Sequence, residues 1–198
     1  MRALIFANGE LANLHSLKIR KGDFLIGVDG GTRLILKLNL KPDLIIGDLD
    51  SLKNVPKNIP LIMYPQDKDF TDTELALNYC RKQGFKEVVL VGILGRRLDH
   101  LIANLFLACS FNLTVVEGKQ TIYLIKPTRF NLEGKPGDLV SLIPLLGDCS
   151  GVTTTGLKWR LQGETLKLGS SRGMSNVMVK KRVAVLKRGC LLLIHTFR

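Results

Sequence analysis

The chain has 198 residues, and its 45% hydrophobic and 23% charged content excludes a disordered protein and allows one large domain or two small ones. Its 29 Lys and Arg residues against 17 Asp and Glu give a net charge of +12, which favours anionic partners such as nucleotides, nucleic acids or acidic membrane surfaces. The four cysteines form no C-x-x-C pair, which argues against a zinc site or a disulfide framework.

In the first 118 residues, short apolar runs alternate with helical patterns. The predicted strands are residues 3–7, 24–28, 44–46, 61–64, 87–91 and 113–116, and the predicted helices are residues 32–40, 72–83 and 98–110. Thr71 and Glu74 have the spacing of a capping box, and Gly84 is a residue type that ends helices. Strands that alternate with helices predict an α/β unit with a mostly parallel sheet flanked by helices.

After residue 118 the helical patterns stop and short strand-like runs follow one another. These runs are residues 121–126, 139–144, 151–155, 157–161, 164–168, 177–187 and 191–196. Turn signals such as Gly147-Asp148 and Gln162-Gly163 separate them. We therefore predict two domains, an α/β domain at residues 1–118 and an all-β sandwich, or a barrel, at residues 119–198.

No segment has the pattern of a membrane anchor or a secretion signal. The longest apolar stretch, residues 101–109, is about half a membrane span and contains Asn104. The apolar residues before Asn8 are too few for a signal peptide. We therefore expect a cytoplasmic protein without a membrane partner.

Aspartates follow most of the predicted parallel strands. They are Asp29, Asp48, Asp50, Asp69, Asp72 and Asp99. Ligands of open α/β sheets bind outside the carboxyl ends of the strands, where these residues would meet. Asp48 and Asp50 are two residues apart and would share one face of extended backbone, where a cation between them relieves their repulsion. Together with the glycines of the same loops, this pattern predicts a site for Mg²⁺ and a nucleotide.

Each aspartate also has a structural interpretation, because Asp is a common turn former and helix cap. Asp72 and Asp99 in particular lie at predicted helix starts. The chain carries no Walker A motif, and Asp29-Gly30-Gly31 is not a dinucleotide fingerprint, so a P-loop enzyme and a dinucleotide dehydrogenase are both disfavoured.

Several short segments carry a resemblance to a known family. They are Asn8-Gly9, Asp29-Gly30-Gly31, Pro42-Asp43, Gly47-Asp48-Leu49-Asp50-Ser51, Lys68-Asp69-Phe70-Thr71-Asp72, Gly95-Arg96-Arg97-Leu98-Asp99-His100 and Gly173-Met174-Ser175-Asn176. In this order and spacing they resemble the thiamine pyrophosphokinase (thiamin diphosphokinase) family over nearly the whole chain. The resemblance implies an ATP-binding α/β domain, a thiamine-binding β-sandwich, and a homodimer with thiamine at the subunit interface. The implied reaction converts Mg-ATP and thiamine into AMP and thiamine diphosphate.

The resemblance also implies roles for individual residues. The implied catalytic and metal-binding carboxylates are Asp48, Asp50, Asp69 and Asp99. The implied ATP- and phosphate-binding residues are Asn8, Asp29, Gly30, Gly31, Gly47, Ser51, Lys68, Thr71, Asp72, Gly95 and Arg97. The implied thiamine-binding residues are Trp159, Ser175 and Asn176. One departure is Arg96, where the family usually has a second glycine.

Some roles stay open at this stage. Asp99 fits either a metal ligand or a base for the thiamine hydroxyl, and His100 fits either a base or a structural residue. Trp159, in a predicted strand that alternates with Leu157 and Leu161, fits either the core or a stacking surface for thiamine.

Two other functions are compatible with the sequence. The first is the same Mg-ATP chemistry with another alcohol as the acceptor. The second is a nucleic-acid-binding β-module that would use Lys180, Lys181, Arg182, Lys187 and Arg188 on the phosphate backbone. The second is disfavoured, because the chain carries no helix-turn-helix, RNA-recognition or zinc signature.

Overall fold

The computed structural model describes residues 1–10, 17–52, 56–95, 97–111, 113–127, 129–186 and 188–198. The chain divides into two compact units, Met1–Gly118 and Lys119–Arg198. None of the helices formed by the described residues is long and apolar enough to cross a bilayer.

Among the described residues, the first unit contains six strands, three α-helices and a short 3₁₀ turn at Asp29–Gly31. The strands are β1 (Arg2–Phe6), β2 (Phe24–Val28), β3 (Leu44–Gly47), β4 (Leu61–Met63), β5 (Glu87–Val91) and β6 (Thr114–Glu117). The helices are α1 (Thr32–Lys37), α2 (Asp72–Lys82) and α3 (Leu98–Phe111). The predicted parallel α/β unit is thereby confirmed, with each predicted element shifted by only a few residues.

The strands of the first unit form a parallel sheet in the order β6-β5-β1-β2-β3-β4. In this register Phe6 at the end of β1 pairs with Gly27 and Val91 near the ends of β2 and β5. Strand β1, in the interior of the sheet, is buried on both faces, which agrees with its continuous apolar run. The carboxyl ends of all these strands therefore reach the same edge of the sheet.

The helices α1 and α2 pack against the parallel sheet. Leu34 and Ile35 of α1 pack against Leu4 and Phe6 of β1 in one buried apolar cluster. The helix α2 begins as its sequence predicts, because the Thr71 hydroxyl accepts a hydrogen bond from the backbone N–H of Glu74 at 3.2 Å. It packs against β1, β2 and β3.

The second unit is a sandwich of two antiparallel sheets. Its strands are β7 (Gln120–Ile125), β8 (Arg129–Glu133), β9 (Leu139–Pro144), β10 (Cys149–Thr155), β11 (Glu164–Leu166), β12 (Asn176–Val177), β13 (Arg182–Leu186) and β14 (Leu191–Thr196). One sheet has the order β12-β9-β14-β7 and the other β11-β10-β13-β8. Residues of both sheets, such as Leu142 and Val152, form one buried core, which confirms the predicted sandwich.

Two strand predictions in the second unit were wrong, and one strand was missed. Residues 157–161 form no strand, and only Leu157 makes an isolated bridge, with Met178. The predicted strand 177–187 is interrupted by the exposed residues Lys180 and Lys181 and splits into β12 and β13. Strand β8 was missed, although Phe130 and Leu132 alternate with polar neighbours there.

Candidate active site

A cavity of about 630 Å³ lies at the carboxyl edge of the parallel sheet. Its size is typical of small-ligand sites. The loops after β1, β2, β3 and β5 line it, together with residues of α2 and α3. Nine residues assigned by sequence line it, namely Asn8, Asp29, Asp48, Asp50, Ser51, Thr71, Asp72, Gly95 and Arg97.

Three aspartates form the acidic centre of this cavity. Asp29, Asp48 and Asp50 each place a carboxylate oxygen within 4.8 Å of the others. Asp29 is only 6% exposed, and its buried Oδ1 has no hydrogen-bond partner among the described residues. Burial raises the pKa of Asp29 against the opposing hydrogen bond from Ser51. Three hard oxygen donors, one of them buried and unsatisfied, fit a Mg²⁺ ion.

Left-handed backbone brings these carboxylates together. Leu49 has a φ of +67°, so Asp48 and Asp50 meet across a turn, and the expectation that extended backbone would align them was wrong. The Asp50 N–H donates to Asp48 Oδ1 at 3.1 Å. Asp29 itself has a φ of +46°, an uncommon conformation for a non-glycine residue that is often found at functional sites.

Gly47 is required by the close approach of the loops after β2 and β3. A Cβ atom at this position would lie 3.1 Å from the Asp29 Cβ, and its φ of +151° disfavours other residues. The predicted glycine at this strand end therefore allows the acidic residues to come together, although it does not itself line the cavity.

Lys68 neutralises part of the acidic charge. Its ammonium group lies 3.2 Å from Asp48 Oδ2 and 3.0 Å from Asp72 Oδ1. Hydrogen bonds from the Asp50 backbone and from Lys68 lower the pKa of Asp48, whereas burial raises that of Asp72. Lys68 was assigned to phosphate binding, and in this structure its charge is shared between two carboxylates.

Asp99 and Arg97 form a local pair at the start of α3. Arg97 Nη2 lies 2.5 Å from Asp99 Oδ2, and the His100 N–H donates to Asp99 Oδ1 at 2.9 Å. The hydrogen bond from Arg97 lowers the pKa of Asp99 to about 2. Arg97 and His100 line the cavity, whereas the described lining does not include Asp99.

The remaining assigned residues take different positions. Asp69 is exposed on the loop between β4 and α2 and, like Asp99, lies outside the cluster of three carboxylates, so a metal-binding role for these two residues stays a prediction. Gly30 and Gly31 are not among the described residues that line the cavity, and a Cβ at Gly31 would approach the Phe6 carbonyl oxygen to 1.9 Å. The predicted effect of Arg96 lies outside the described residues.

Sequence reasoning missed four polar residues that line the cavity, namely Glu10, Arg33, Thr73 and Asn104. Each had a signal in the sequence. Glu10 and Arg33 lie next to motif segments, Thr73 follows Asp72, and Asn104 lies four residues after His100 on the same face of a helix.

A fifth missed residue, Glu117, does not line the cavity but supports it. It is buried and accepts backbone hydrogen bonds from Ile93 at 2.8 Å and Leu94 at 3.2 Å, which fixes the loop after β5.

Trp159, Ser175 and Asn176, assigned to thiamine, lie in the second unit. Trp159 is 56% exposed, so the alternative that it belongs to the core is wrong. The Lys158 ammonium lies 4.9 Å from its ring centroid. Ser175 is exposed and has a φ of +53°.

The buried Asn176 side chain is used internally. Its Oδ1 accepts from the Trp159 N–H at 3.1 Å and its Nδ2 donates to the Trp159 carbonyl oxygen at 2.6 Å. Asn176 therefore holds the backbone of the exposed tryptophan.

Fold and site together define a class, an α/β protein whose acidic pocket at the carboxyl edge of a parallel sheet suits a metal and a phosphorylated ligand. A family model described as the catalytic domain of thiamin pyrophosphokinase matches residues 16–122, and one described as its vitamin B1 binding domain matches residues 127–188. The chain belongs to the thiamin pyrophosphokinase family.

Individual proteins show the same similarity. The chain is 28% identical over 169 residues to a thiamine pyrophosphokinase of Bacillus subtilis, an alignment that covers 79% of each protein. It is 24% identical to a thiamin pyrophosphokinase of Caenorhabditis elegans, with 90% of this chain and 82% of that protein covered. The crystal structure of thiamine pyrophosphokinase from Bacillus subtilis superimposes with a TM-score of 0.89 at 24% identity, over 100% of this chain and 99% of that one, which supports the fold.

Proposed function

We propose that this protein transfers the pyrophosphoryl group of Mg-ATP to the hydroxyl group of thiamine, giving thiamine diphosphate and AMP. The observation that carries the proposal is the convergence of Asp29, Asp48 and Asp50 in the cavity of a chain that belongs to this family. Asp29 supplies a buried oxygen that has no hydrogen-bond partner among the described residues, and a bound cation would satisfy it and relieve the repulsion within the cluster. We assign ATP to the first unit and thiamine to the second.

In the proposed reaction the thiamine hydroxyl oxygen forms a bond to the β-phosphorus of ATP. The bond between that phosphorus and the oxygen that bridges to the α-phosphorus breaks, this oxygen leaves with AMP, and the hydroxyl proton is released to water. A Mg²⁺ ion bound by Asp29, Asp48 and Asp50 would neutralise charge on the phosphates. The protein contributes mainly by positioning and by fixed charges.

Asp99 is better suited to orienting Arg97 than to accepting the hydroxyl proton. A carboxylate with a pKa of about 2 is a weak base, and both of its oxygens already accept hydrogen bonds. Arg97 lines the cavity and presents a planar guanidinium of the kind that binds phosphate. Phosphate binding by Arg97 is therefore part of the proposal.

We propose further that the protein is a homodimer with thiamine at the subunit interface. Leu98, Ile102 and Phe106 of α3 are exposed by 67%, 46% and 46% and lie on one helix face, close in sequence to the cavity-lining residues Arg97 and His100. Such a stripe needs a partner surface. Trp159, exposed and held by Asn176, is the proposed stacking surface for thiamine in the partner's sandwich.

The proposal includes a cytoplasmic location. In the cytoplasm the protein would have direct access to ATP, one of its two proposed substrates. The substrates are small molecules, and no membrane or nucleic-acid partner is needed for the reaction.

The direct test is incubation of the purified protein with Mg-ATP and thiamine, with AMP and thiamine diphosphate followed by chromatography. Both products should form in equal amounts, and EDTA should stop the reaction. Omission of thiamine is the control, because AMP released without thiamine would indicate another acceptor or simple hydrolysis. Failure to form thiamine diphosphate at any Mg-ATP concentration would contradict the proposal.

The dimer is tested by complementation. One chain carries Asp48→Asn with Asp50→Asn, and the other carries Trp159→Ala with Asn176→Ala, each assayed at a thiamine concentration where it is nearly inactive alone. If sites are shared, a mixed dimer contains one intact site and activity should return after subunit exchange. Subunit exchange is verified by mass spectrometry. If activity does not return after verified exchange, each subunit carries its own complete site.

A further inference from the structure

The cavity contains a cation, Arg33, that has no role in the proposed transfer of the pyrophosphoryl group. Arg33 is the second residue of α1, and its side chain lines the cavity beside the three clustered aspartates. Its side chain contacts the loops that follow β1 and β3. A permanently charged group at this position must either serve the fold or serve an anionic ligand.

The guanidinium of Arg33 bridges two neighbouring loops. Its Nη2 donates to Asn8 Oδ1 at 3.0 Å, and its Nη1 donates to the backbone carbonyl oxygen of Ser51. We call these three residues the Arg33 bracket. Both acceptors are neutral, so the bracket fixes the direction of the guanidinium without cancelling its charge.

The other cations near the cavity differ in this respect. Lys68 is paired with Asp48 and Asp72, and Arg97 is paired with Asp99. In the part of the chain that the structure describes, no carboxylate forms an ion pair with Arg33. An oriented guanidinium with an uncancelled charge is suited to a phosphate group, which it can bind through parallel N–H donors.

We propose that Arg33 binds the polyphosphate chain of the nucleotide, with Asn8 and Ser51 as the groups that position it. This inference rests on the proposed function and identifies the residue that offsets the repulsion between three carboxylates and a polyanion. Asp29, Asp48 and Asp50 would hold a metal ion that neutralises part of the phosphate charge, and Arg33 would add a second positive charge.

Gly30 gives a second, independent way to disturb the bracket. A Cβ atom at Gly30 would lie 2.3 Å from Asn8 Oδ1 and 2.7 Å from Arg33 Nη2. The Gly30→Ala variant must therefore displace both side chains while it keeps every charge. It tests whether the geometry of the bracket matters in addition to its charge.

The experiment measures binding of ATP, of tripolyphosphate and of adenosine to the full chain by calorimetry or by competition. Arg33→Gln should weaken ATP and tripolyphosphate binding by about 10-fold or more, the effect of losing one hydrogen-bonded charge, and leave adenosine binding unchanged. Arg33→Lys should restore only part of the affinity, because a lysine lacks the planar fork. Gly30→Ala should resemble Arg33→Lys.

The matched control is Arg20→Gln, which removes the same charge at an exposed pair with Glu87 outside the cavity. It should bind all three ligands like the wild type. An Arg33→Gln variant that binds ATP and tripolyphosphate as tightly as the wild type would overturn the proposal. So would an equal loss for adenosine, because Arg33 would then have only a structural role.

Failure of this inference can be told from failure of the proposed function. If the wild type forms thiamine diphosphate but Arg33→Gln retains full ATP affinity, only the assignment of Arg33 is wrong. If the wild type forms no thiamine diphosphate but its tripolyphosphate affinity still depends on Arg33, the phosphate site stands and the proposed reaction is wrong.

Discussion

The two units carry nearly equal numbers of basic residues but very different numbers of acidic ones. Residues 1–118 contain 15 Lys and Arg with 13 Asp and Glu, whereas residues 119–198 contain 14 Lys and Arg with only 4 Asp and Glu. The large net charge of the chain therefore comes from the lack of acids in the sandwich. A net charge summed over the whole chain conceals an acidic cavity in one half.

The acids of the two units also serve different ends. All four acids of the sandwich pair or hydrogen-bond within their own unit, namely Glu133 with Arg182, Asp138 with His195, Asp148 with the Leu168 N–H and Glu164 with Arg172. In the α/β unit, three carboxylates instead meet with one oxygen left unsatisfied. The acids of the sandwich therefore serve its own fold, whereas the cluster in the α/β unit, although Lys68 pairs with Asp48, keeps the oxygen that we assign to a cation.

The largest effect is expected at the buried pair of the sandwich. Asp138 accepts hydrogen bonds from His195 Nε2 at 2.9 Å, the Lys135 N–H at 2.9 Å and the Arg198 N–H at 3.1 Å, and both side chains of the pair are almost fully buried. Asp138→Ala leaves these donors without an acceptor and should lower the free energy of unfolding by about 3–5 kcal/mol. Urea denaturation measures this loss.

The matched control for this prediction is Asp148→Ala, which removes an exposed carboxylate with a single backbone hydrogen bond and should cost far less. The pH dependence gives a second check. Although burial opposes ionisation, the hydrogen bonds lower the pKa of Asp138, so its contribution is present above the unfolded pKa and is lost as the pH falls through the lower folded value. Equal losses in the two variants would contradict a special role for the pair.

The next largest effect is expected at the clustered acids of the α/β unit. Asp48→Asn and Asp50→Asn should each lower turnover by about 10²–10³-fold, the scale of losing one preorganised electrostatic partner. The fold should persist, because removal of crowded negative charge relieves repulsion. Steady-state assays at saturating Mg²⁺ measure the first effect and thermal melting the second. The control is Asp67→Asn, an exposed acid outside the cavity.

Asp29 adds a pH signature to the same cluster. Burial raises its pKa, so Asp29 should take up a proton at a higher pH than an ordinary aspartate as the solution is acidified. Because this protonation competes with metal binding, the affinity of the metal-free protein for Mg²⁺ should already fall at a pH above the ordinary range for Asp, which calorimetric titration at several pH values measures. An Asp29→Asn variant with near-native turnover and an unchanged pH dependence of Mg²⁺ affinity would remove Asp29 from the proposed metal site.

A smaller effect is expected for Asp99 than for the cluster. If Asp99 orients Arg97, Asp99→Asn should weaken kcat/KM by roughly tenfold, and His100→Ala should cost less. Because the Arg97 hydrogen bond lowers the pKa of Asp99 to about 2, the pair persists down to acidic pH, and the variant should leave the acid limb of the pH profile in place. A loss as large as that of Asp50→Asn, or a reversed ranking with His100, would instead assign chemistry to these residues directly.

The sequence predicted the acidic site for a topological reason. The carboxyl ends of parallel strands share one edge, so Asp29 and Asp48, which directly follow two neighbouring strands, had to lie near each other. The sequence could not show that Leu49 turns left-handed or that Arg97 engages Asp99, since both depend on local conformations that residue type alone does not determine. The buried Oδ1 of Asp29 likewise appears only once the loops are packed.

The sandwich was harder to predict where its chain leaves the regular strands. Leu157 and Leu161 are buried, and Trp159 lies midway between them in the sequence. In a regular strand this spacing would place all three side chains on the same buried face. The chain instead bends at this point, and the Asn176 side chain binds the Trp159 backbone from a distant part of the sequence. A hydrogen bond between residues so far apart in the sequence produces no periodic pattern from which the bend could be predicted.

The last prediction tests whether this bend serves the proposed thiamine site. Trp159→Ala should raise the KM for thiamine by about 2- to 30-fold and leave the KM for ATP unchanged, because an aromatic surface stabilises a cation by about 0.5–2 kcal/mol. Asn176→Ala should raise the same KM, because the Trp159 backbone loses its two hydrogen bonds. The two effects should not add in the double variant, since both act through one side chain.

Asn131→Ala, which removes an exposed amide on β8, is the matched control and should change neither constant. Additive effects of Trp159→Ala and Asn176→Ala would show that Asn176 acts on thiamine independently of the tryptophan, and an unchanged thiamine KM in Trp159→Ala would leave the sandwich without its proposed stacking surface.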